Sequence, residues 1–285
     1  MDYANPDALV STQWLSDHLD APDVRVVDAS YYLPVQQRNA REEYEAGHIP
    51  GAVFFDIDEI ADTTRSLPHM LPPPEKFSSK ARRLGLGSGN RIVIYDGMGI
   101  SSAAARVWWM FRVFGHRDVA VLDGGFPKWQ REGRPVEDLP PMPRERHFMA
   151  RLNTTLVRGL QQVMGNLESR REQVVDARSA GRFQGTDPEF WPVKKAGHIP
   201  GSLNLPYAEL IDERERTMLP AGQLKARMEA AGVDLTRPVV ATCGSGVTAC
   251  VLALAMHLIG HSDVAVYDGS WAEWGAHEDT PNELG

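Results

Sequence analysis

The sequence predicts an α/β fold in which one domain occurs twice in tandem, each copy a mainly parallel sheet flanked by helices. The motif AGHIPG occurs at 46–51 and again at 196–201. Two further pairs of segments follow the same order: VVDAS from 26 with VVDAR from 174, and FGHRDVAVLDGGFPKW from 114 with IGHSDVAVYDGSWAEW from 259. The offset between the copies changes only from 150 to 145 residues, so the chain contains a duplicated domain.

Each copy alternates short strand-like runs with longer helical patterns, which is typical of a parallel sheet with crossover helices. In the first copy, RIVIYD from 91 and VAVLDG from 119 flank the helical pattern SSAAARVWWMFRVFG from 101. We expect one domain over 1–134 and the second over 156–285, joined by a linker over 135–155. The linker prediction rests on a charged stretch without apolar periodicity that contains Pro135, Pro140, Pro141 and Pro143.

The composition argues against several classes of protein. With 38 acidic and 30 basic residues the net charge is −8, so we expect neither a nucleic-acid surface nor a membrane patch. Two cysteines in 285 residues make no disulfide framework, and no Cys/His cluster has metal-ligand spacing, so neither a metal nor a cofactor is expected. The N-terminal residues lack a signal or transit pattern and no apolar run has membrane-spanning length, which predicts a cytoplasmic protein.

The strongest functional signal is the segment ATCGSGVTAC at 241–250. Cys243 ends a Val-rich strand pattern, and Gly244 and Gly246 allow backbone N–H groups to converge at the start of an apolar helix. Because converging N–H groups stabilise an anion, a thiol at this point is suited to act as a nucleophile. Cys250 lies inside the apolar helix, and we expect it to be a core residue.

The duplication supplies an internal control, because residues common to both copies are expected to be scaffold. An offset of 147 residues places Asp96 opposite Cys243, so the first copy has no nucleophile. His48 and His198 occur in both AGHIPG motifs, and we therefore interpret them as turn and packing residues.

Four charged or titratable residues differ between the copies and are candidates for chemistry. Arg178 and Arg182 occur only in the second copy. Asp58 and His69 occur only in the first copy, and the sequence match places Thr217 opposite His69. Ser245 occurs only in the second copy, so a functional connection between it and the Asp58/His69 pair requires the domain interface to close over the Cys243 loop.

The loop CGSGVT on a strand-to-helix turn, within a tandem α/β repeat with paired GHIPG turns and YDGSWAEW near its end, resembles the two-domain rhodanese superfamily. The resemblance covers nearly the whole chain. It implies two rhodanese-like domains, of which the second is catalytic. It also implies transfer of sulfur from mercaptopyruvate through a persulfide on Cys243, with release of pyruvate, to a thiol acceptor such as thioredoxin or to cyanide.

The same resemblance implies roles for individual residues. Ser245, His69 and Asp58 are expected to form a triad across the domain interface, and Arg182 is expected to bind the carboxylate end of the donor. The remaining loop positions are expected to hold the substrate and the terminal sulfur; they are Gly244, Gly246, Val247 and Thr248.

One position departs from the family pattern. Family members commonly have a second arginine shortly before the GHIPG turn, where this chain has Trp191. Lys194 or Lys195 is a candidate to replace that charge. The sequence assigns no role to Arg178.

Three other functions fit parts of the sequence. A thiosulfate:cyanide sulfurtransferase has the same fold, but a loop for a compact dianion is expected to carry cationic side chains, and none stands at 244–246. A cysteine phosphatase has an arginine six residues after its cysteine, where this chain has Ala249. A non-enzymatic interaction module explains a first copy without a nucleophile but gives Cys243 no role.

Overall fold

The computed structural model describes residues 2–99 and 103–285 and contains two five-stranded sheets. The first sheet has the order β1-β5-β4-β2-β3 and the second the order β6-β10-β9-β7-β8, and neighbouring strands in both sheets are parallel. The strands of the first sheet are β1 (Leu9–Val10), β2 (Val24–Asp28), β3 (Val53–Phe54), β4 (Arg91–Tyr95) and β5 (Val119–Leu122). Those of the second are β6 (Val157–Arg158), β7 (Gln173–Asp176), β8 (Leu203–Asn204), β9 (Val239–Thr242) and β10 (Val264–Tyr267). The tandem α/β fold predicted from the repeats is confirmed.

Helices flank both sheets. In the first half they are α1 (Thr12–His18), α2 (Ala40–Ala46), α3 (Ile57–Ile60), α4 (Pro74–Arg83), α5 (Ala103–Val113) and α6 (Gly125–Arg131). In the second half they are α7 (Leu160–Ser169), α8 (Ala180–Gln184), α9 (Ala221–Ala230), α10 (Ala249–Leu258) and α11 (Ser270–Trp274). Single turns of 3-10 helix occupy Pro6–Ala8, Pro34–Gln36, Thr154–Leu156 and Tyr207–Leu210. Within the described residues, no helix combines the length and the apolar character needed to cross a bilayer.

The central strands are apolar on both faces because helices cover both sides of each sheet. Every residue of β9 is buried, and in β4 only Arg91 is partly exposed. A parallel sheet covered on both faces selects such continuous Val/Ile runs. The carboxyl ends of the parallel strands meet at one edge of each sheet, which is where ligands bind in open α/β folds.

Helices α5 and α10 pack against each other and join the two halves. They are the same element of the duplicated domain, and one hydrophobic cluster contains buried residues of both. The segment that precedes each half is hydrogen-bonded to the other half. The Ala4 N–H donates to the Leu258 carbonyl at 2.8 Å, and the Arg151 N–H donates to the Phe114 carbonyl at 2.9 Å. The domains therefore contact through an approximately two-fold arrangement in which these backbone contacts occur twice.

The segment predicted as a linker begins with residues attached to the first domain. The Trp129 indole donates to the Pro135 carbonyl at 2.7 Å, and Glu137 pairs with His48 through an antiparallel bridge. The end of the chain repeats this pattern in the second domain, where Glu283 bridges to His198. The segment from 138 to 153 contains no helix or strand and runs along the first domain.

Candidate active site

The loop between β9 and α10 places Cys243 at the carboxyl edge of the second sheet. The side chain is 1% exposed and lines a cavity of about 280 Å³ at the domain interface. The Cys243 N–H donates to the Ser270 hydroxyl at 3.1 Å, and its carbonyl accepts from the Trp271 N–H at 2.9 Å. Because the backbone of Cys243 is held on both sides by α11, the thiol has a fixed position at the cavity wall.

The backbone after Cys243 forms an anion cradle. The N–H groups of residues 244–249 have no acceptor among residues 2–99 and 103–285, and they precede the first turn of α10. Gly246 has a φ of 75°, and a Cβ there would lie 2.6 Å from the Asp268 carbonyl, so glycine is required. Unpaired N–H groups at a helix start favour a negative charge, which suits a sulfur anion attached to Cys243.

His69 of the first domain reaches this loop across the interface. Its Nδ1 is 3.0 Å from the Ser245 hydroxyl, and its Nε2 is 3.2 Å from Asp58 Oδ1. The contact with Asp58 lacks the alignment of a hydrogen bond, and the Asp58 side chain is 63% exposed. The structure thus brings the three residues of the predicted triad together, with a buried histidine contacting the serine and a partly solvated carboxylate beside its other nitrogen.

The His69 backbone has a left-handed conformation, with a φ of 58°. Such a conformation is uncommon outside glycine, asparagine and aspartate, and its cost of about 1–3 kcal/mol is met by surrounding contacts. One of these contacts is the His69 carbonyl, which accepts from Arg106 Nη2 at 2.5 Å. Rings of Tyr31 and Trp191 meet the imidazole edge-on, with centroid distances of 4.8 and 5.3 Å.

Arg106 connects the two halves of the site. This fully buried residue of α5 pairs with Asp268 Oδ1 at 2.7 Å, and its Nη1 donates to the Gly246 carbonyl at 3.2 Å. Asp268 Oδ2 in turn accepts from the Leu71 N–H at 2.8 Å. One buried ion pair therefore fixes the His69 segment of the first domain against the Cys243 loop of the second.

Arg182 enters the cavity from α8. Its Nη2 lies 2.6 Å from where a Cβ on Gly244 would stand, so the guanidinium lies directly against the loop. Nε and Nη2 both contact Glu189 Oε2, at 3.1 and 2.5 Å. The guanidinium is oriented by a carboxylate of the protein, and its charge is partly balanced before any substrate binds.

Arg178, to which the sequence assigned no role, is a buried structural residue. Its Nη2 and Nε contact the Asp176 carboxylate at 2.6 and 3.0 Å, and its Nη1 pairs with Glu189 at 2.6 Å. The Trp271 ring lies under the guanidinium, 4.5 Å from its carbon to the ring centroid. Arg178 thereby supports Glu189, which orients Arg182.

Neither lysine proposed to replace the second arginine contacts the cavity. Lys194 pairs with Glu278 at 2.5 Å, and Lys195 donates to carbonyls near the end of the chain, among them that of His277 at 2.8 Å. Trp191 does line the cavity, and its ring lies against the His69 imidazole. The expectation of a substitute cation was wrong, because the two lysines point to the opposite side of the segment and an aromatic ring takes the position.

Of the predicted loop residues, all but one line the cavity. Ser245, Gly244, Val247 and Thr248 line the cavity, whereas Gly246 directs its carbonyl to the other side. Further residues that line the cavity were not predicted from the sequence: Tyr31, Leu33, Gln36, Met98, Ser179, Phe190 and Tyr207. They come from loops of both domains and from segments with no distinctive motif, so only the closed interface identifies them.

The residues interpreted as scaffold are buried and hydrogen-bonded. His48 Nδ1 contacts the Tyr44 carbonyl at 2.7 Å, and His198 Nδ1 contacts the Phe183 carbonyl at 2.9 Å. Cys250 is fully buried, and its thiol donates to the Gly246 carbonyl at 3.2 Å. Burial raises the pKa of the Cys250 thiol, which keeps it protonated and unreactive.

Comparison with known proteins agrees with this geometry. The family model described as a rhodanese-like domain matches residues 11–132 and again 160–277. The chain belongs to the rhodanese family of sulfurtransferases and carries two rhodanese-like domains. It is 46% identical to the human 3-mercaptopyruvate sulfurtransferase and 48% identical to the rat thiosulfate sulfurtransferase, in each case covering 94% of this chain and 91% of the relative.

A solved structure shows the same arrangement. The 3-mercaptopyruvate sulfurtransferase SseA from Escherichia coli superposes with a TM-score of 0.85 at 39% identity, covering 93% of this chain and 98% of that one. The relatives thus divide between two sulfur donors, mercaptopyruvate and thiosulfate.

Proposed function

We propose that the protein transfers the sulfur of 3-mercaptopyruvate, through a persulfide on Cys243, to a thiol acceptor or to cyanide, and releases pyruvate. The observation that carries the proposal is the 3.0 Å contact between His69 and the hydroxyl of Ser245, a residue that lines the same cavity as Cys243. A proton donor beside the nucleophile is needed when the leaving group is a carbanion-like enolate.

The reaction assigns a task to each group. The Cys243 thiolate attacks the donor sulfur; the new S–S bond forms as the C–S bond breaks, and the electrons of that bond leave with the pyruvate enolate. Ser245, hydrogen-bonded to His69, delivers a proton to the enolate carbon. The proton of the transferred S–H group is released when the persulfide ionises, so protons balance. The unpaired N–H groups of the loop then hold the terminal sulfur anion.

Arg182 accounts for the carboxylate of the donor. Its Nη1 has no hydrogen-bond partner among the described residues, whereas Nε and Nη2 are engaged by Glu189. A planar guanidinium held in this way presents a directed donor to a carboxylate in the cavity. Thiosulfate lacks a carboxylate and, as a dianion, meets a loop without cationic side chains, so we expect it to be the poorer donor.

The second sulfur transfer needs a nucleophilic acceptor that reaches the cavity. A thiolate or cyanide attacks the terminal sulfur of the persulfide, the S–S bond to Cys243 breaks, and the thiolate of Cys243 is restored. Thioredoxin is the protein thiol we propose, because attack by one of its cysteines followed by the other would release the sulfur as sulfide.

Kinetics with both donors test this proposal. We expect kcat/KM for mercaptopyruvate to exceed that for thiosulfate by about tenfold or more, with thioredoxin and with cyanide as acceptors. A preference for thiosulfate would instead identify the thiosulfate sulfurtransferase, as the rat relative is named.

Mass spectrometry of the protein tests the covalent step. After mercaptopyruvate the wild type should gain one sulfur atom, and Cys243→Ser should gain none and lose all transfer activity, because a hydroxyl is a poor sulfur nucleophile. Cys250→Ser is the matched control and should keep the adduct. Absence of an adduct on the wild type would favour an interaction module over an enzyme.

A further inference from the structure

The first domain contains a second cavity, of about 300 Å³, on the side of β2 that faces α2 and α6. Its wall includes Asp28, Ser30, Gly47 and Phe126, and Tyr32, Arg38 and Glu43 also line it. The cavity is separate from the Cys243 site, and none of these residues lines that site. The equivalent place in the second domain indicates which kind of ligand this cavity can bind.

In the second domain the corresponding space is filled by the guanidinium of Arg178. Two of its nitrogens contact the Asp176 carboxylate, at 2.6 and 3.0 Å, and Nη2 also donates to the Gly197 carbonyl at 2.8 Å. The Trp271 ring lies under the plane of the group. Arg178 Nη1 pairs with Glu189 at 2.6 Å, so two carboxylates, a carbonyl and an aromatic face surround the guanidinium.

The first domain retains the counterparts of Asp176, Gly197 and Trp271 but lacks the guanidinium. The offsets between the copies place Asp28 opposite Asp176, Gly47 opposite Gly197 and Phe126 opposite Trp271, and all three first-domain residues line the cavity. The residue opposite Arg178 is Ser30, whose short side chain leaves the space open.

The Asp28 carboxyl is a buried acid without a cation. It is 3% exposed and accepts the Ser30 N–H at 2.8 Å, and no Lys, Arg or His nitrogen of residues 2–99 and 103–285 lies within 4.0 Å of it. Burial raises its pKa, against hydrogen bonds from Ser30 and Tyr95 and the more distant charge of His48. A carboxylate in this setting gains from a cation that brings its own hydrogen bonds.

We propose that the cavity of the first domain binds the guanidinium group of a ligand, with Asp28 and the Gly47 carbonyl as acceptors and the Phe126 ring under the plane. The arginine already at the cavity does not fill it. The Arg38 guanidinium lies over the Tyr32 ring, 3.7 Å from its centroid, and pairs with Glu43 at 2.6 Å. Arg38 and Glu43 thus offer one positive and one negative group to the part of the ligand beyond its guanidinium.

Calorimetric titration of the full chain with methylguanidine tests the proposal, with methylurea as a neutral probe of the same shape. We expect saturable binding of methylguanidine and none of methylurea. Asp28→Asn should weaken binding by roughly tenfold or more, because it removes the charge while keeping the shape of the side chain. Ser30→Arg should abolish binding, because its own guanidinium enters the cavity as Arg178 does in the second domain.

Two larger probes distinguish the sources of the group. Stronger binding of N-acetyl-L-arginine amide than of L-arginine indicates an arginine side chain of a partner protein, and the reverse indicates a free amino acid. Circular dichroism and thermal unfolding report whether each variant is folded. Equal affinity of wild type and folded Asp28→Asn for methylguanidine, or equal binding of methylurea, would overturn the proposal, whatever the sulfur-transfer activity of the variants.

Discussion

The interface between the domains has two faces related by the duplication, and only one of them carries the nucleophile. On the first face Asp268 accepts the Leu71 N–H of the other domain at 2.8 Å; on the second face Asp123 accepts the Met218 N–H at 2.9 Å. The residue two positions before each donor has a left-handed backbone. These residues are His69, with a φ of 58°, and Arg216, with a φ of 59°.

The side chains at the two loops account for the difference. On the second face the Asp96 carboxylate accepts the N–H groups of Met98 and Ala104, at 2.7 and 2.9 Å. At the Cys243 loop the counterpart of Met98 is Ser245, whose N–H has no acceptor within the described residues, whereas the counterpart of Ala104 is Val251, whose N–H donates to the Thr248 carbonyl at 3.0 Å. One copy thus has a carboxyl group of its own in this loop, while the other leaves the N–H groups of residues 244–249 open to an anion. The scaffold is shared, and the chemistry depends on a few exchanged side chains.

The largest predicted effect is a loss of activity on replacing His69, but not on replacing Arg216, the other residue with a left-handed backbone. His69→Ala should lower kcat for mercaptopyruvate by about 10²–10⁴-fold, because it removes the group that contacts Ser245, while thiosulfate turnover is spared. Arg216→Ala is the matched control, with the same backbone strain at an exposed position, and should leave both activities unchanged. Equal losses in the two variants would show that backbone strain, and not the imidazole, is responsible.

The next prediction concerns the buried pair present on one face alone. Arg106→Met leaves the Asp268 carboxylate buried without a cation, and we expect the free energy of unfolding to fall by about 3–5 kcal/mol. The double variant Arg106→Met/Asp268→Asn should recover a large part of this loss. Urea denaturation measures both values. A double variant no more stable than the single one would contradict the role of the ion pair.

Donor recognition gives a smaller effect. Arg182→Lys keeps the charge but loses the planar donor set, so KM for mercaptopyruvate should rise by about tenfold. Glu189→Gln removes the carboxylate that partly balances Arg182, and it should lower KM for dianionic thiosulfate more than KM for mercaptopyruvate. Steady-state kinetics of both variants with both donors provide the comparison. Equal changes in KM for the two donors would mean that Arg182 and Glu189 only support the Cys243 loop and do not recognise the donor.

The smallest effect is a change in stability on replacing a buried interface carboxyl by an amide, and its sign differs between the faces. Burial raises the pKa of Asp123 from 3.8 to about 6, so the native state binds this proton more tightly than the unfolded state does. The stabilising effect of protonation is complete below about pH 4 and is lost as pH rises to about 6. At pH 7, Asp123→Asn should therefore be more stable than wild type by about 1–3 kcal/mol. Asp268→Asn, which leaves Arg106 buried without its carboxylate, should be less stable.

Urea midpoints at pH 4.5 and pH 7 measure this difference. The advantage of Asp123→Asn should shrink at the lower pH, where the wild-type carboxyl is largely protonated. A constant difference between the two pH values would exclude titration of Asp123 as its source.

The repeats and the glycine-flanked thiol were enough to predict the fold and Cys243, because both are patterns along the chain. Arg106 also left a signal, a charge among apolar residues in the first half of a helix, opposite Ala253 in the second copy. Glu189 had no such signal, since its importance comes from two arginines that approach only in the folded domain. Catalytic roles for the predicted site residues stay predictions until the variants are measured.

The register of the copies near His69 was the part that sequence matching got wrong. It placed Thr217 opposite His69, whereas the backbone conformation places Arg216 there. Insertions between the GHIPG turn and α4 leave little similarity in this region, so only the conformation and the Asp123 and Asp268 contacts identify the equivalent positions.

The burial of Arg106 and Asp268 has a consequence for the response of the protein to ionic strength. Their side chains are 1% and 7% exposed, so dissolved ions do not enter between them. Screening acts over about 8 Å at physiological salt and weakens attractions that pass through water, while desolvated pairs are affected much less. Added salt should therefore weaken capture of an anionic donor by Arg182 and leave the closure of His69 over the Cys243 loop intact.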